Sequence, residues 1–117
     1  MPLPALVRVR GVSMLPTHRE GDVLLVVRGR HPRPGQVAVV RLPPDASGTP
    51  RPLSVKRVTG PDPHDPTRWW IDSDNAAPGL TSFDVGSLAT DDLVAVVKLQ
   101  VHSRTPPGLG KAGFDFF

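Results

Sequence analysis

The sequence predicts a mostly β fold, one small antiparallel domain with a single short helical turn following Ser13. Three observations carry that expectation. The 117 residues include 15 prolines and 11 glycines, spread so that no apolar pattern of helical period runs on for long. Short β-branched runs recur between clusters of turn formers. A chain of this length also builds one core, with no room for a second.

Taken in order, the first strand-like run is residues 5–10, where Val7 and Val9 alternate with Leu6, Arg8 and Arg10. Residues 14–20 are expected to form one helical or 3-10 turn, with Ser13 as its cap. Residues 22–28 and 36–42 are largely apolar strands. The segment joining them, 29–35, is too rich in proline and glycine for a helix. Further strands are expected at 53–59, 68–72 and 93–102, with mobile loops at 43–52 and 60–66. Residues 1–102 then form the domain. Residues 103–117, with Pro106, Pro107, Phe114, Phe116 and Phe117, form a flexible tail.

Composition removes several function classes. Cysteine is absent, so disulfides, thiolate metal ligands and a cysteine nucleophile are excluded together. His18, His31, His64 and His102 lack metal-ligand spacing and read as surface residues, so no metal and no cofactor is expected. No stretch approaches the ~18 apolar residues of a membrane span, and the first residues run straight into arginines. A cytoplasmic protein without a transmembrane anchor is expected. A net charge of +3 is a weak argument for an anionic partner.

Two segments suggest a chemistry. Ser13 lies between an apolar run and a proline-bearing turn, where a hydroxyl can project from a rigid corner. A serine becomes a nucleophile only when a base removes its proton. Lysine can be that base once burial strips its charge, whereas arginine stays protonated. Of the 14 basic residues, only Lys56, Lys98 and Lys111 are lysines. Lys56 sits inside a strand-like run, on the face shared by Ser54 and Val58. Lys98 sits in a similar run, and pattern alone does not rank the two.

The motifs, in order, resemble those of the Ser/Lys peptidases of the type I signal peptidase clan. Gly11-Val12-Ser13-Met14-Leu15-Pro16-Thr17, with Gly21-Asp22 behind it, resembles their nucleophile motif. Pro34-Gly35-Gln36-Val37 resembles a turn between the two catalytic segments, and Val55-Lys56-Arg57-Val58 resembles the lysine motif. Ser73-Asp74-Asn75 and Ser82-Phe83-Asp84 resemble the final box, so the likeness extends from about Val9 to Val97.

The resemblance implies a signal peptidase-like β core with Ser13 as nucleophile and Lys56 as general base. It makes Ser82 the serine that orients the lysine, and Asp74, Asn75 and Asp84 residues that shape the site. Three departures stand out. Gly11 occupies a position where some relatives carry an oxyanion-donating serine, which leaves the oxyanion to backbone N–H groups. Val85 and Gly86 replace the arginine that pairs with the box aspartate, so Asp84 needs another partner. The membrane anchor is missing. A Ser-x-Asp-x-Gly stretch leading into a Leu/Val-rich strand resembles the nickel-type superoxide dismutase maturation proteases. That implies a serine endopeptidase removing an N-terminal extension from an extended protein substrate, the nickel superoxide dismutase precursor.

Two other readings compete. A His-based hydrolase would draw on His18, near Ser13 in sequence. A non-catalytic basic β-domain would bind a peptide or nucleic acid through its arginines. With two tryptophans and four phenylalanines in the chain, a base-stacking platform is poorly supplied, and nucleic acid is not expected as a partner.

Overall fold

The computed structural model describes residues 3–28, 31–75 and 79–102. Its strands are β1 (Leu3–Arg8), β2 (Val23–Arg28), β3 (Val37–Val40), β4 (Ser54–Asp62), β5 (Asp65–Asp72), β6 (Leu88–Ala89) and β7 (Leu93–His102). One helical turn, α1 (Ser82–Val85), precedes β6, and a 3-10 turn (Thr90–Asp92) leads into β7. The strands form one sheet in the order β1-β2-β7-β3-β4-β5-β6, and every pairing is antiparallel. The mostly β antiparallel class therefore holds.

The sheet curls around β3, whose continuous apolar run Val37-Ala38-Val39-Val40 is buried throughout. Such a run belongs to a strand covered on both faces. Val37 and Val39 join one cluster with Val7, Met14, Leu24 and Val55. Ala38 and Val40 join a second cluster with Val58, Ile71, Leu88 and Leu93. Because successive side chains point to opposite faces, β3 stands between two small cores, where chain length leads to the expectation of one. Register shifts within β2–β7, β3–β7 and β4–β5 supply bends that let the sheet fold over.

Several expectations change. Residues 60–66 are not a loop but the tip of the β4–β5 hairpin, where the Asp62 carboxylate accepts the His64 N–H at 2.9 Å. Local Asx bonding of this kind builds a turn that prolines only appear to break. Residues 43–52 lack regular structure, yet the Asp45 carboxylate accepts two backbone N–H groups and Arg51 donates to the Pro43 and Pro44 carbonyls. The segment after Ser13 is a run of turns with one helix-type bond, His18 N–H to Met14 C=O at 2.9 Å. Ser13 does not cap it. Strand β6 was not foreseen, being two residues long. The tail 103–117 lies outside the described residues.

β1 and β2 position the site. Their ladder continues past Arg8 through Val9 N–H to Asp22 C=O and Gly21 N–H to Val9 C=O, both 2.8 Å. Residues 10–20 are thereby pinched at the base into a compact excursion carrying Ser13. Met14, 1% exposed, moors it in the first core. Leu24→Ala, at a fully buried position of the same core, should lose about 2–5 kcal/mol in denaturant unfolding. Leu99→Ala, on the exposed part of β7, should lose less than about 0.5 kcal/mol.

Candidate active site

The turn carrying Ser13 is held by the strap that follows β5. Asn75 donates its N–H to the Ser13 carbonyl at 2.8 Å, and its side-chain amide donates to the Val12 carbonyl at 3.0 Å. Thr17 donates its hydroxyl to Asp74. Asp74 is itself forked by Arg57, with Nε to Oδ1 at 2.9 Å and Nη2 to Oδ2 at 2.7 Å. The remaining arm of Arg57 donates to the Gly35 carbonyl. These bonds to the Arg57 fork, then to Thr17, hold the Asp74 carboxyl below its ordinary value, against a smaller opposing effect of burial. Gly11, with φ of +79°, takes the left-handed backbone that starts the excursion, and donates its N–H to Glu20.

Held in this way by its carbonyl, Ser13 keeps its hydroxyl and its N–H free of hydrogen bonds among the described residues. A serine serving as a helix cap would show the opposite.

Lys56 lies on β4 opposite Ala38 of β3 and is only 3% exposed. Its amine donates to the Ser73 hydroxyl at 2.7 Å, which in turn donates to the Leu80 carbonyl at 2.6 Å. Burial pushes the amine below its ordinary value, while the negative charges of Asp72 and Asp84 pull it part of the way back. Lys98, the other strand lysine, is exposed. The structure thus separates two residues that pattern alone leaves equal.

Ser13 and Lys56 make no direct hydrogen bond to each other. Ser13's turn is moored in the first core, while Lys56 shares its partner Ala38's face with the second. The strap connects them, since Ser73 holds the lysine and Asn75 holds the serine's backbone.

Ser82 does not take the position that the resemblance implied. Its buried hydroxyl accepts the Ile71 N–H at 2.8 Å, tying α1 to β5, and Ser73 holds the lysine instead. Ser73 leaves the β5 ladder just beyond the Arg57–Asp72 pair and so lies beside Lys56. Asp84 finds its partner in a backbone amide, the Thr81 N–H at 2.8 Å, closing a capping box on α1. His18 is not a surface residue. It is buried, with Nδ1 3.2 Å from the Gln100 side-chain oxygen. His31 and His64 are exposed. Among the described residues, no cluster of three His, Asp or Glu could hold a metal ion.

Sequence reasoning missed Ser73, Arg57 and Thr17. The sequence adjacency of Lys56-Arg57 and Ser73-Asp74 was the available signal, because neighbouring strand residues serve neighbouring partners.

A cavity of about 110 Å³ adjoins Ser13, lined by Val9, Arg10, Met14, Leu53, Ser54 and Val55. A larger hollow of about 370 Å³ lies at the β4–β5 hairpin against Trp70 and the exposed Phe83. Ser13 lines the smaller cavity, whereas Lys56 and Ser73 line neither of the two.

A serine that caps no helix and a buried lysine, joined through one strap on a curled antiparallel sheet, are compatible with a serine-type peptidase. The chain belongs to the Peptidase S24-like family, whose family model matches residues 4–79, well over half its length. The match covers Ser13, Lys56 and the strap, and stops short of Ser82 and Asp84. Membership places the chain in the signal peptidase-like clan and gives it a protease-type function, with protein as substrate. No curated protein and no solved structure matches the chain. No helix among the described residues is long and apolar enough to cross a membrane.

The strap has a pH signature. A carboxyl whose value is depressed by folding stabilises the folded state above its unfolded value of about 4, and that contribution fades as pH falls through the folded value. Asp74→Ala should therefore be less stable than the parent at pH 7 in urea unfolding. The gap should narrow steadily below about pH 4.

Proposed function

We propose that this protein is a serine endopeptidase working through a Ser13/Lys56 dyad. The observation that carries the reading is the strap, which binds the lysine through Ser73 and the serine's turn through Asn75. Family membership, a buried amine whose value burial lowers, and a Ser13 hydroxyl unengaged among the described residues all support it.

In this mechanism the Ser13 oxygen attacks the scissile carbonyl as its proton passes to neutral Lys56. The carbonyl electron pair moves onto oxygen and is met by the free Ser13 N–H, since Gly11 offers no side-chain donor. Collapse breaks the C–N bond, and the leaving amine takes the proton from Lys56. The regenerated amine then draws a proton from water, which hydrolyses the acyl-enzyme. The substrate lies extended between Val9–Arg10 and Leu53–Val55, held by main-chain hydrogen bonds. The small cavity beside Ser13 admits a short side chain next to the cleaved bond.

The substrate is a protein bearing an N-terminal extension, specifically the precursor of nickel-containing superoxide dismutase, processed in the cytoplasm. The Ser82-x-Asp84-x-Gly86 stretch leading into β7 supports that narrower reading. Incubation of the purified protein with the precursor tests it, and an uncleaved precursor alongside a processed unrelated peptide would exclude it.

The dyad is tested separately. A phosphonylating reagent should label Ser13 and leave Ser13→Ala unlabelled. Lys56→Arg should be as inactive as Lys56→Ala, each roughly 10⁴-fold or more below the parent, because charge is kept and basicity lost. Activity should climb with pH through the lowered Lys56 value, since only the neutral amine accepts a proton. A flat pH profile would exclude lysine as the base.

A further inference from the structure

We infer that Ser73 is a positioning residue that sets the hydrogen-bond polarity of Lys56, keeping the neutral amine's lone pair free for the Ser13 proton. This rests on the dyad reading above. A hydroxyl has one proton to give and two lone pairs. The Leu80 carbonyl can only accept, and it lies 2.6 Å from the Ser73 oxygen, so the hydroxyl proton is spent there. Towards Lys56, 2.7 Å away, Ser73 can then only accept. A neutral amine meets it with one of two N–H groups, and its single lone pair stays unengaged. A freely rotating hydroxyl would instead donate into that lone pair and quench the base.

Gly79 makes the arrangement possible. A Cβ there would lie 2.3 Å from the Ser73 Cβ, 2.4 Å from its oxygen and 2.7 Å from the Asn75 carbonyl. Only a glycine lets the chain fold back closely enough to set the next carbonyl, that of Leu80, on the hydroxyl. The strap is thus closed by Gly79 N–H to the Asn75 carbonyl at 3.2 Å, directly beside the Asn75 N–H that grips Ser13. The charged groups acting on the amine are Asp72 at the end of β5 and Asp84 on α1, both favouring its charged form. Ser73 adds to their effect, because an acceptor binds an ammonium more strongly than an amine.

The experiment uses the full chain with Lys98→Arg and Lys111→Arg, which leaves Lys56 as its only lysine. Labelled-lysine NMR then follows Lys56 directly, alongside the pH dependence of Ser13 phosphonylation. Ser73→Ala should lower the Lys56 titration by about 0.5–1 pH unit. It should also slow phosphonylation at the alkaline plateau by roughly 10-fold or more. Ser73→Cys, close to isosteric but a weaker partner, should move both readings the same way by less, and Gly79→Ala should mimic Ser73→Ala. Ser82→Ala should leave the Lys56 titration in place. A folded Ser73→Ala or Ser73→Cys with unaltered Lys56 titration and plateau rate would overturn the inference, as would a Lys56 shift seen with Ser82→Ala instead. Parent-rate phosphonylation in Lys56→Ala would overturn the dyad itself, whatever Ser73 does to the titration.

Discussion

The Asp74 carboxylate accepts from two of the three nitrogens of the Arg57 guanidinium, and one of its oxygens also takes the Thr17 hydroxyl. The pair is largely sheltered from solvent, and a fork of parallel charge-assisted bonds fixes direction as well as distance. Three separate stretches of chain are brought into register by this one contact: the middle of β4, the strap after β5 and the excursion after β1, while the third arm of Arg57 adds the turn at Gly35. Without it, Ser13 would sit on a surface bulge moored by Met14 and by Asn75. With it, the serine's backbone is referenced to the same strand that bears Lys56.

The chemistry follows from what that grip leaves unspent. The residues around Ser13 use their polar groups on one another, while Ser13 keeps its N–H and hydroxyl unbonded among the described residues. Lys56 is treated in the opposite way: it is surrounded by apolar strand and given a single neutral partner, Ser73. Asp72 and Asp84 act on it only at a distance. A closer carboxylate would favour the charged amine more strongly and oppose the lowering by burial. Family membership and this pattern of engaged and spared groups point the same way.

Much of the fold was legible because the strands are β-branched runs with turn formers on each side. The 60–66 hairpin was not, since its prolines and glycine read as a loop until Asp62 is seen to bind His64. Strand pattern left Lys56 and Lys98 equal, and only the motif resemblance favoured Lys56. The difference is neighbourhood: β4 is covered by β3 and the strap at Lys56, whereas the β3–β7 ladder ends at Val96 and leaves Lys98 beyond it. Asp74 and Asn75 were legible as shaping residues without their partners. Ser73 was passed over for Ser82 because the choice depends on a chain reversal at Gly79, which no local pattern records. His18 was misjudged because a polar turn in sequence is folded against the end of β7 in space.

The division of the interior on either side of β3 has a consequence for motion. Serine and lysine are fastened to different cores, so the gap between them belongs to the seam joining the cores and to neither one alone. If the two form the proposed dyad, its geometry depends on how stiffly the strap bridges that seam. On the proposed mechanism, turnover and melting temperature would then be separable, the first set by the stiffness of a few bridging residues and the second by how well two oil drops are filled.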